Sequence, residues 1–253
     1  MKWYFCINED GLERYAGMLR VAVASARART SLSPQLIYDG GEHPLIGQFA
    51  SAGVSVHHAR TPLLPAILAR PEGPGYRHRI AAGAYLRMEI ARIEQADEFV
   101  LYTDCDVMFQ DEVELSGLRP ATLAAAPEFG PDEWSYFNSG SMLLNVACLK
   151  QSYDGLIALS AARLGATAYD QAVYNEFFAG RWERLPPAFN WKPYWGRNDA
   201  APIIHFHGPK LPALAALIDG AEGEVVHDVW RELFERAPDA YRHYYALAKG
   251  WLG

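Results

Sequence analysis

Two aspartates one residue apart, Asp104 and Asp106, end the apolar run Phe99-Val100-Leu101-Tyr102-Thr103. A second apolar run, Val107-Met108-Phe109, follows at once. Buried strands seldom finish on two charges unless something holds those charges. Residues i and i+2 of an extended chain point the same way, so the two carboxylates can share one cation. Oxygen ligands suit Mg²⁺ or Mn²⁺, which keep room for waters and substrate phosphates. The pair alone carries little weight, because two acidic residues at this spacing are more often a solvated turn. A second ligand segment lies about a hundred residues on, Ile203-Ile204-His205-Phe206-His207-Gly208-Pro209-Lys210. A lone histidine at a strand end is more often a hydrogen-bonded core residue. Two histidines two apart, followed by glycine and lysine, are less easily dismissed. One imidazole added to two carboxylates shifts the preference toward Mn²⁺ or a similar transition metal. Gly208 permits close backbone approach to a ligand, and Lys210 offers a point charge to phosphate.

Several elements must converge to position these groups. Residues 3–7 form a buried apolar run closed by Asn8-Glu9-Asp10-Gly11, which reads as a first strand. Over 12–29, Met18, Leu19, Ala22 and Ala26 recur at helical spacing with Arg14, Arg20 and Arg27 toward water. Ser33-Pro34 breaks that pattern. Short strands are expected at 35–38 and 54–56, with a helix over 43–52 between them. The stretch 61–79 holds Pro62, Pro65, Pro71 and Pro74 with Gly73 and Gly75, and reads as an irregular functional or mobile loop. Ala82, Leu86, Ile90 and Ile93 share one face of a helix over 81–95 that leads into the aspartate strand. Strands are further expected at 122–126, 141–146 and 203–206, and helices over 152–164 and 170–178. Residues 185–197 read as an aromatic, proline-rich loop. Val226, Val229, Trp230 and Leu233 mark a C-terminal helix, and a last one begins near Asp239. Strands alternate with helices, so the class is α/β. Ligands bind at the carboxyl ends of strands in such sheets. Asn8, Asp104, Asp106 and His205 all lie at or just beyond such ends.

The balance of charge narrows the partners. A net charge of −7 argues against a nucleic-acid-binding surface. Three widely spaced cysteines, Cys6, Cys105 and Cys148, form no disulfide framework and no CxxC metal pair, which suits a reducing compartment. The first residues are too short an apolar run for a signal peptide, and no segment is long enough to span a bilayer. A soluble cytoplasmic protein is the expectation, with peripheral contact to the inner face of the membrane as an option. The C-terminal Tyr241-Arg242-His243-Tyr244-Tyr245 with Lys249 and Trp251 carries that option, although a docking helix is the plainer reading.

Six segments, taken in order, resemble glycosyltransferase family 8. They are Tyr85-Leu86-Arg87-Met88, the DxD segment 102–107, Phe137-Asn138-Ser139-Gly140 with its following apolar run, Asp170-Gln171-Ala172-Val173-Tyr174-Asn175, Leu185-Pro186-Pro187-Ala188-Phe189-Asn190, and His205-Phe206-His207-Gly208-Pro209-Lys210. The resemblance implies a single domain over 1–253 with the glycosyltransferase A-type fold, a Rossmann-like mixed sheet flanked by helices. Residues 1–109 would be its nucleotide-binding half, 110–220 its sugar and acceptor half, and 221–253 its C-terminal helices. It further implies a retaining transfer of a hexose from a UDP-sugar, UDP-glucose or UDP-galactose, to a glycan or lipid-linked saccharide, dependent on Mn²⁺ or on Mg²⁺. Asp104, Asp106 and His205 would ligate the metal. Cys6, Ile7, Asn8 and Asp10 would bind the uridine, Arg87 and Lys210 would face the diphosphate or sugar, and Cys105 would belong to the same donor-binding set. Asn138, Asp170 and Gln171 would be the catalytic residues lining the donor-sugar and acceptor site, with Asp170 or Gln171 as the nucleophile if a covalent intermediate forms. The chain departs from the family pattern where Leu211-Pro212 stands for Pro-Trp after the lysine, and in the extra His207.

Each assignment has a plain structural counterpart. Asp170 suits a helix N-cap, Asn138 a turn before Gly140, and Arg87 a solvated helix face. Trp191, Tyr194 and Trp195 suit a packed loop as well as a sugar-stacking platform. A sugar nucleotidyltransferase usually carries a Gly-rich loop near its start, where this chain has only Gly11. A catalytically inactive nucleotide-sugar-binding module is the other alternative.

Overall fold

The computed structural model describes residues 1–73, 76–164, 169–220 and 227–252. Pro74, Gly75 and Val226, read above as loop and helix residues, lie outside the described residues. The first half runs β1 (Lys2–Asn8), α1 (Glu9–Arg29), β2 (Ser33–Asp39), α2 (Pro44–Ser51), β3 (Ser55–His58), α3 (Leu64–Ala69), α4 (His78–Tyr85), α5 (Ile90–Ile93), β4 (Phe99–Thr103) and β5 (Val107–Phe109). The second half runs β6 (Leu123–Pro127), β7 (Phe137–Asn145), α6 (Val146–Arg163), α7 (Asp170–Phe177), β8 (Glu183–Arg184), β9 (Ile203–His205), α8 (Leu211–Ile218), α9 (Asp228–Arg236) and α10 (Pro238–Lys249).

Seven strands form a mixed sheet in the order β3-β2-β1-β4-β7-β6-β8. Strands β1 to β4 run parallel to one another, and β7 is antiparallel to both its neighbours, β4 and β6. The fold class expected from strand–helix alternation is the one observed. Side chains of β1 alternate as a strand requires. Trp3, Phe5 and Ile7 pack toward α1, and Tyr4 and Cys6 pack toward α4 and α5. Helices thus cover both faces of the sheet. Each large apolar side chain buried there stabilises the fold by roughly 1.5–3 kcal/mol. A third cluster joins α1 to β9 and the C-terminal helices through Met18, Val21, Ile204, Phe206 and Tyr241.

A second, two-stranded ribbon pairs β5 with β9, with Val107 opposite His205. This register brings His205 to the two aspartates. The chain changes sheets between them. Asp104 N donates to Gly140 O of β7 at 2.9 Å, while Phe206 N, just past β9, donates to Asp106 O at 2.9 Å. The carboxylates therefore converge across a junction of two sheets. They do not lie on one continuous strand, as the i, i+2 spacing suggests.

The boundaries differ from the sequence reading in four informative places. Ser33 and Pro34 begin β2, since proline at a strand's start removes no ladder donor that matters. The proline-rich stretch contains α3, with Pro65 in its first turn. Helix α8 follows Leu211-Pro212 for the same reason, and nothing in its apolar composition had marked a helix. The helix expected over 81–95 is broken by a 3₁₀ turn, Leu86–Glu89, all four residues of which are buried. Its two charges have partners: Glu89 accepts from Tyr153 Oη at 2.8 Å, and Arg87 serves the site described below.

The opposite end of the sheet is tied by a buried carboxylate. Glu94 accepts from Lys2 Nζ at 2.8 Å, Tyr4 Oη at 2.8 Å, and the amides of Ala96 and Asp97 at 2.6 and 2.9 Å. Burial alone would raise its pKa, but Lys2 and these donors hold it at about 2, below the ordinary 4.5. A depressed carboxylate adds stability that is present above its unfolded pKa and lost as pH falls through the folded one. Glu94→Gln is therefore expected to cost roughly 3 kcal/mol at neutral pH. It should also flatten the acid limb of stability between about pH 4.5 and 2. Chemical denaturation of both proteins across that range checks this; parallel acid limbs would contradict it.

Candidate functional site

A cleft of about 670 Å³, counted to its open mouth, lies where β1 and β4 end. Cys6, Ile7 and Asn8 from β1 and Asp10 from α1 line one wall. Arg87, Asp104 and Cys105 line the other. These seven residues, assigned separately along the chain, share one cavity. Asn8 Nδ2 donates to Arg79 O at 2.8 Å and so fixes the start of α4 against the end of β1. Glycines let the two helices close over it. A Cβ on Gly83 would sit 3.1 Å from Asn8 Oδ1, and one on Gly11 would sit 2.7 Å from Ile7 Cδ1.

Arg87 is 4% exposed and stands at the centre of the far wall. It donates to Asp104 Oδ1 at 2.9 Å and Ser139 O at 2.6 Å, pairs with Asp170 Oδ2 at 2.9 Å, and lies over the Tyr102 ring at 4.5 Å. Burial pulls its pKa down, yet Asp170, Tyr102 and Asp104 raise it further, so its charge is permanent. It is not on a solvated helix face. Asp170 is raised to about 6, by burial first and against the pull of Arg87. The N-cap of α7 is Tyr169, and Asp170 is the first helical residue.

The two aspartates each have one oxygen held and one free. Asp104 Oδ1 accepts from Arg87 and from Tyr102 Oη at 2.8 Å. Asp106 Oδ2 is in contact with the Lys210 ammonium, which also donates to Phe206 O at 2.7 Å. The other two oxygens face His205 Nε2, Asp104 Oδ2 at 3.9 Å and Asp106 Oδ1 at 3.4 Å. Asp106 Oδ1 is buried and has no well-aligned hydrogen-bond donor. Burial opposes ionisation of Asp106, but Lys210 and His205 hold its pKa well below the carboxylate range. Asn190 Oδ1 lies 2.8 Å from His205 Nδ1 and orients the ring so that Nε2 faces the aspartates. One ligand atom from each of Asp104, Asp106 and His205 lies within 4.8 Å of the others, the donor set of a divalent cation. Gly140 provides the space. A Cβ there would approach His205 Cε1 to 2.3 Å, Asn138 Oδ1 to 2.7 Å and Asp104 Oδ2 to 2.9 Å.

A relay of amides extends from this cluster. Asn190 Nδ2 donates to Asn138 Oδ1 at 2.9 Å, and Asn138 Nδ2 donates to Gln171 Oε1 at 3.1 Å and Glu128 Oε2 at 2.5 Å. Gln171 Nε2 donates to Glu128 Oε2 at 3.2 Å. Asn138 lies within β7 and is not a turn residue. His207 points away from the aspartates, toward Glu128 Oε1 at 3.4 Å and Tyr194 Oη at 3.3 Å. Lys210 is outside the lining of the cleft, beneath Asp106.

Sequence reasoning gave no site role to Glu128, nor to Arg14, Tyr15 and Arg79, the last three of which also line the cleft. Glu128 had the same signal as Asp104, an acid just beyond an apolar strand. Arg14 read as a water-facing cation of a helix, and Arg79 only as the end of the proline-rich loop. Asn190 sat in a quoted motif without a role.

The model for glycosyl transferase family 8 matches residues 13–212. No curated protein matches the sequence. Among solved structures, the chain is similar to the galactosyltransferase LgtC in complex with donor and acceptor sugar analogs, at 18% identity, TM-score 0.64, over 83% of this chain and 88% of that one. It is similar to the glycosyltransferase GlyE of Streptococcus pneumoniae TIGR4, at 14% identity, TM-score 0.64, over 98% of this chain and 64% of that one. It is also similar to mouse xyloside xylosyltransferase 1, at 15% identity, TM-score 0.59, over 82% and 98%. These likenesses show the glycosyltransferase A-type fold. The family match spans well over half the sequence, and the chain therefore belongs to glycosyl transferase family 8, as a glycosyltransferase.

Proposed function

We propose that this enzyme transfers a hexose from a UDP-sugar, UDP-glucose or UDP-galactose, to a hydroxyl of a glycan or lipid-linked saccharide, with retention of anomeric configuration and with Mn²⁺. The observation that carries this reading is the free oxygen on each of Asp104 and Asp106, turned toward His205 Nε2 at the wall of the cleft. These three residues would hold the metal, which supplies positive charge to the diphosphate leaving group. Mg²⁺ is the alternative for the two oxygens, and the imidazole favours Mn²⁺.

The remaining steps belong to the chain's own groups. Residues 1–109 provide the nucleotide half: Cys6, Ile7, Asn8 and Asp10 hold the uridine, and Cys105 backs the diphosphate. Arg87 adds a fixed charge beside it, already oriented by Ser139 O and Asp170, so no reorganisation is needed as the leaving group forms. Lys210 holds Asp106; a direct phosphate role for it requires its ammonium to leave that carboxylate. Residues 110–220 provide the sugar half, where Asn138, Gln171 and Glu128 present hydroxyl-binding groups. Both potential nucleophiles are engaged. Gln171 Oε1 accepts from Asn138 Nδ2, Ser139 N at 3.0 Å and Ser139 Oγ at 3.4 Å, and Asp170 is paired to Arg87. This supports front-face attack by the acceptor hydroxyl, with the departing phosphate taking its proton, over a covalent intermediate. No described helix is long and apolar enough to cross a membrane, and peripheral contact through α10 remains part of the proposal.

The test is UDP release across a panel of UDP-sugars, with and without Mn²⁺, and the anomeric configuration of the product by NMR. The expected result is release from UDP-glucose or UDP-galactose that needs the metal, and an α-linked product. Nucleotide binding without release from any UDP-sugar would identify an inactive binding module instead.

A further inference from the structure

Three consecutive carbonyls at the end of β6 are gripped by one segment of the 3₁₀-rich loop. Lys192 Nζ donates to Pro127 O at 2.5 Å and Glu128 O at 3.0 Å. Tyr194 Oη donates to Glu128 O at 3.2 Å, and Trp195 Nε1 donates to Phe129 O at 2.9 Å. Glu128 N donates to Tyr136 O at 3.0 Å across the hairpin. Lys192 is fully buried and lies over the Trp195 ring at 4.2 Å. A register shift between Ala125 and Pro127 precedes this segment, and such bulges re-aim the side chains that follow.

The grip has two products. Glu128 turns inward, to Asn138 and Gln171. Phe129 turns outward. It is 58% exposed, the most exposed large apolar side chain among the described residues, and the only aromatic one so exposed. Its ring is stacked on Tyr136, centroids 6.0 Å apart and planes 27° apart. Phe129 does not line the donor cleft. A solvent-facing ring with its backbone held and its flank stacked on Tyr136 offers an apolar surface to the C–H face of a pyranose.

We propose that Phe129, held by Lys192, Tyr194 and Trp195, is the platform of the acceptor subsite and carries a sugar ring of a saccharide acceptor next to Glu128. Trp191, Tyr194 and Trp195, weighed above as the stacking surface, are instead the support. Trp191 and Trp195 meet edge to face at 5.4 Å, and their indole N–H groups are spent on Gly196 O and Phe129 O. This assignment rests on the glycosyltransfer reading.

The experiment measures binding of the full-length protein to immobilised lactose-, maltose-, cellobiose- and chitobiose-terminated saccharides. Wild type, Phe129→Ala, Phe129→Trp and, as a surface control, Leu68→Ala are compared, with UDP release recorded in parallel without acceptor. Wild type is expected to bind at least one saccharide. Phe129→Ala should weaken that binding about tenfold, while Phe129→Trp stays within about twofold. Leu68→Ala should be unchanged in both saccharide binding and UDP release. Binding by Phe129→Ala equal to wild type, or no binding by wild type, overturns the platform. Saccharide binding that needs Phe129, in a protein that never releases UDP, sinks the transferase reading and leaves the platform standing.

Discussion

Replacing Asp104 and Asp106 together by asparagine is expected to lower kcat for UDP release by about a thousandfold or more. Asparagine keeps the shape and one oxygen of each side chain but removes both charges. The loss has to be separated from a loss of fold. Asp106 is buried and faces the Lys210 ammonium, so neutralising it leaves a buried cation without its counter-charge. Breaking such a pair costs about 3–5 kcal/mol. Asp104 is different. Its side chain is 30% exposed, and Arg87 keeps Ser139 O and Asp170 without it. Asp104→Asn alone should therefore melt near wild type while losing most of the turnover. The double variant should lose both turnover and stability. A fully active double variant would remove the metal assignment.

Gly140→Ala is the second large expected effect, and it adds only one methyl group. Its Cβ would fall 2.3 Å from His205 Cε1, 2.7 Å from Asn138 Oδ1 and 2.9 Å from Asp104 Oδ2. No real contact is that short, so at least one ligand must move. His205 is pinned by Asn190, and Asn138 is pinned by Glu128 and Gln171, which leaves little slack to absorb the methyl. Mn²⁺ affinity is expected to fall about 10- to 100-fold, the range for disturbing groups that orient metal ligands. Overpacking should cost a further 1–3 kcal/mol or so of stability. Metal titration and thermal melts of the variant check both numbers. Wild-type Mn²⁺ affinity in Gly140→Ala would mean the cluster is looser than its geometry.

Much of the site was legible because its members sit at abrupt changes of character. Asp104 and Asp106 interrupt apolar runs, and Asn8 and His205 end them. Asn8 and Asp104 mark the carboxyl ends of β1 and β4 in the main sheet, and His205 marks that of β9 in the second ribbon. What sequence could not supply was the partner of each polar group. The pairing of Val107 with His205 depends on a separate two-stranded ribbon, and no local pattern encodes it. Glu128 and Asn190 gain their roles only when hairpin β6–β7 and the 187–190 turn are folded against β9. Arg87 was assigned correctly to a helical stretch, but its burial follows from a 3₁₀ turn that amphipathic spacing does not announce. Lys210 shows the opposite failure. The motif around it suggested phosphate, whereas the nearest negative charge in the folded chain is Asp106. Helix α8 was missed because its run of apolar residues shows no polar face, and Pro212 in its first turn marks a helix start only once the fold is seen.

The central claim is that Asp104, Asp106 and His205 form one metal–diphosphate site. Electron paramagnetic resonance of free Mn²⁺ tests it most directly, in titrations of wild type, Asp104→Asn and His205→Ala with UDP present. The account predicts one Mn²⁺ taken up per wild-type chain, with binding promoted by UDP and weakened at least about tenfold in each variant. Equal uptake by all three proteins, or no UDP-promoted uptake by wild type, would contradict it.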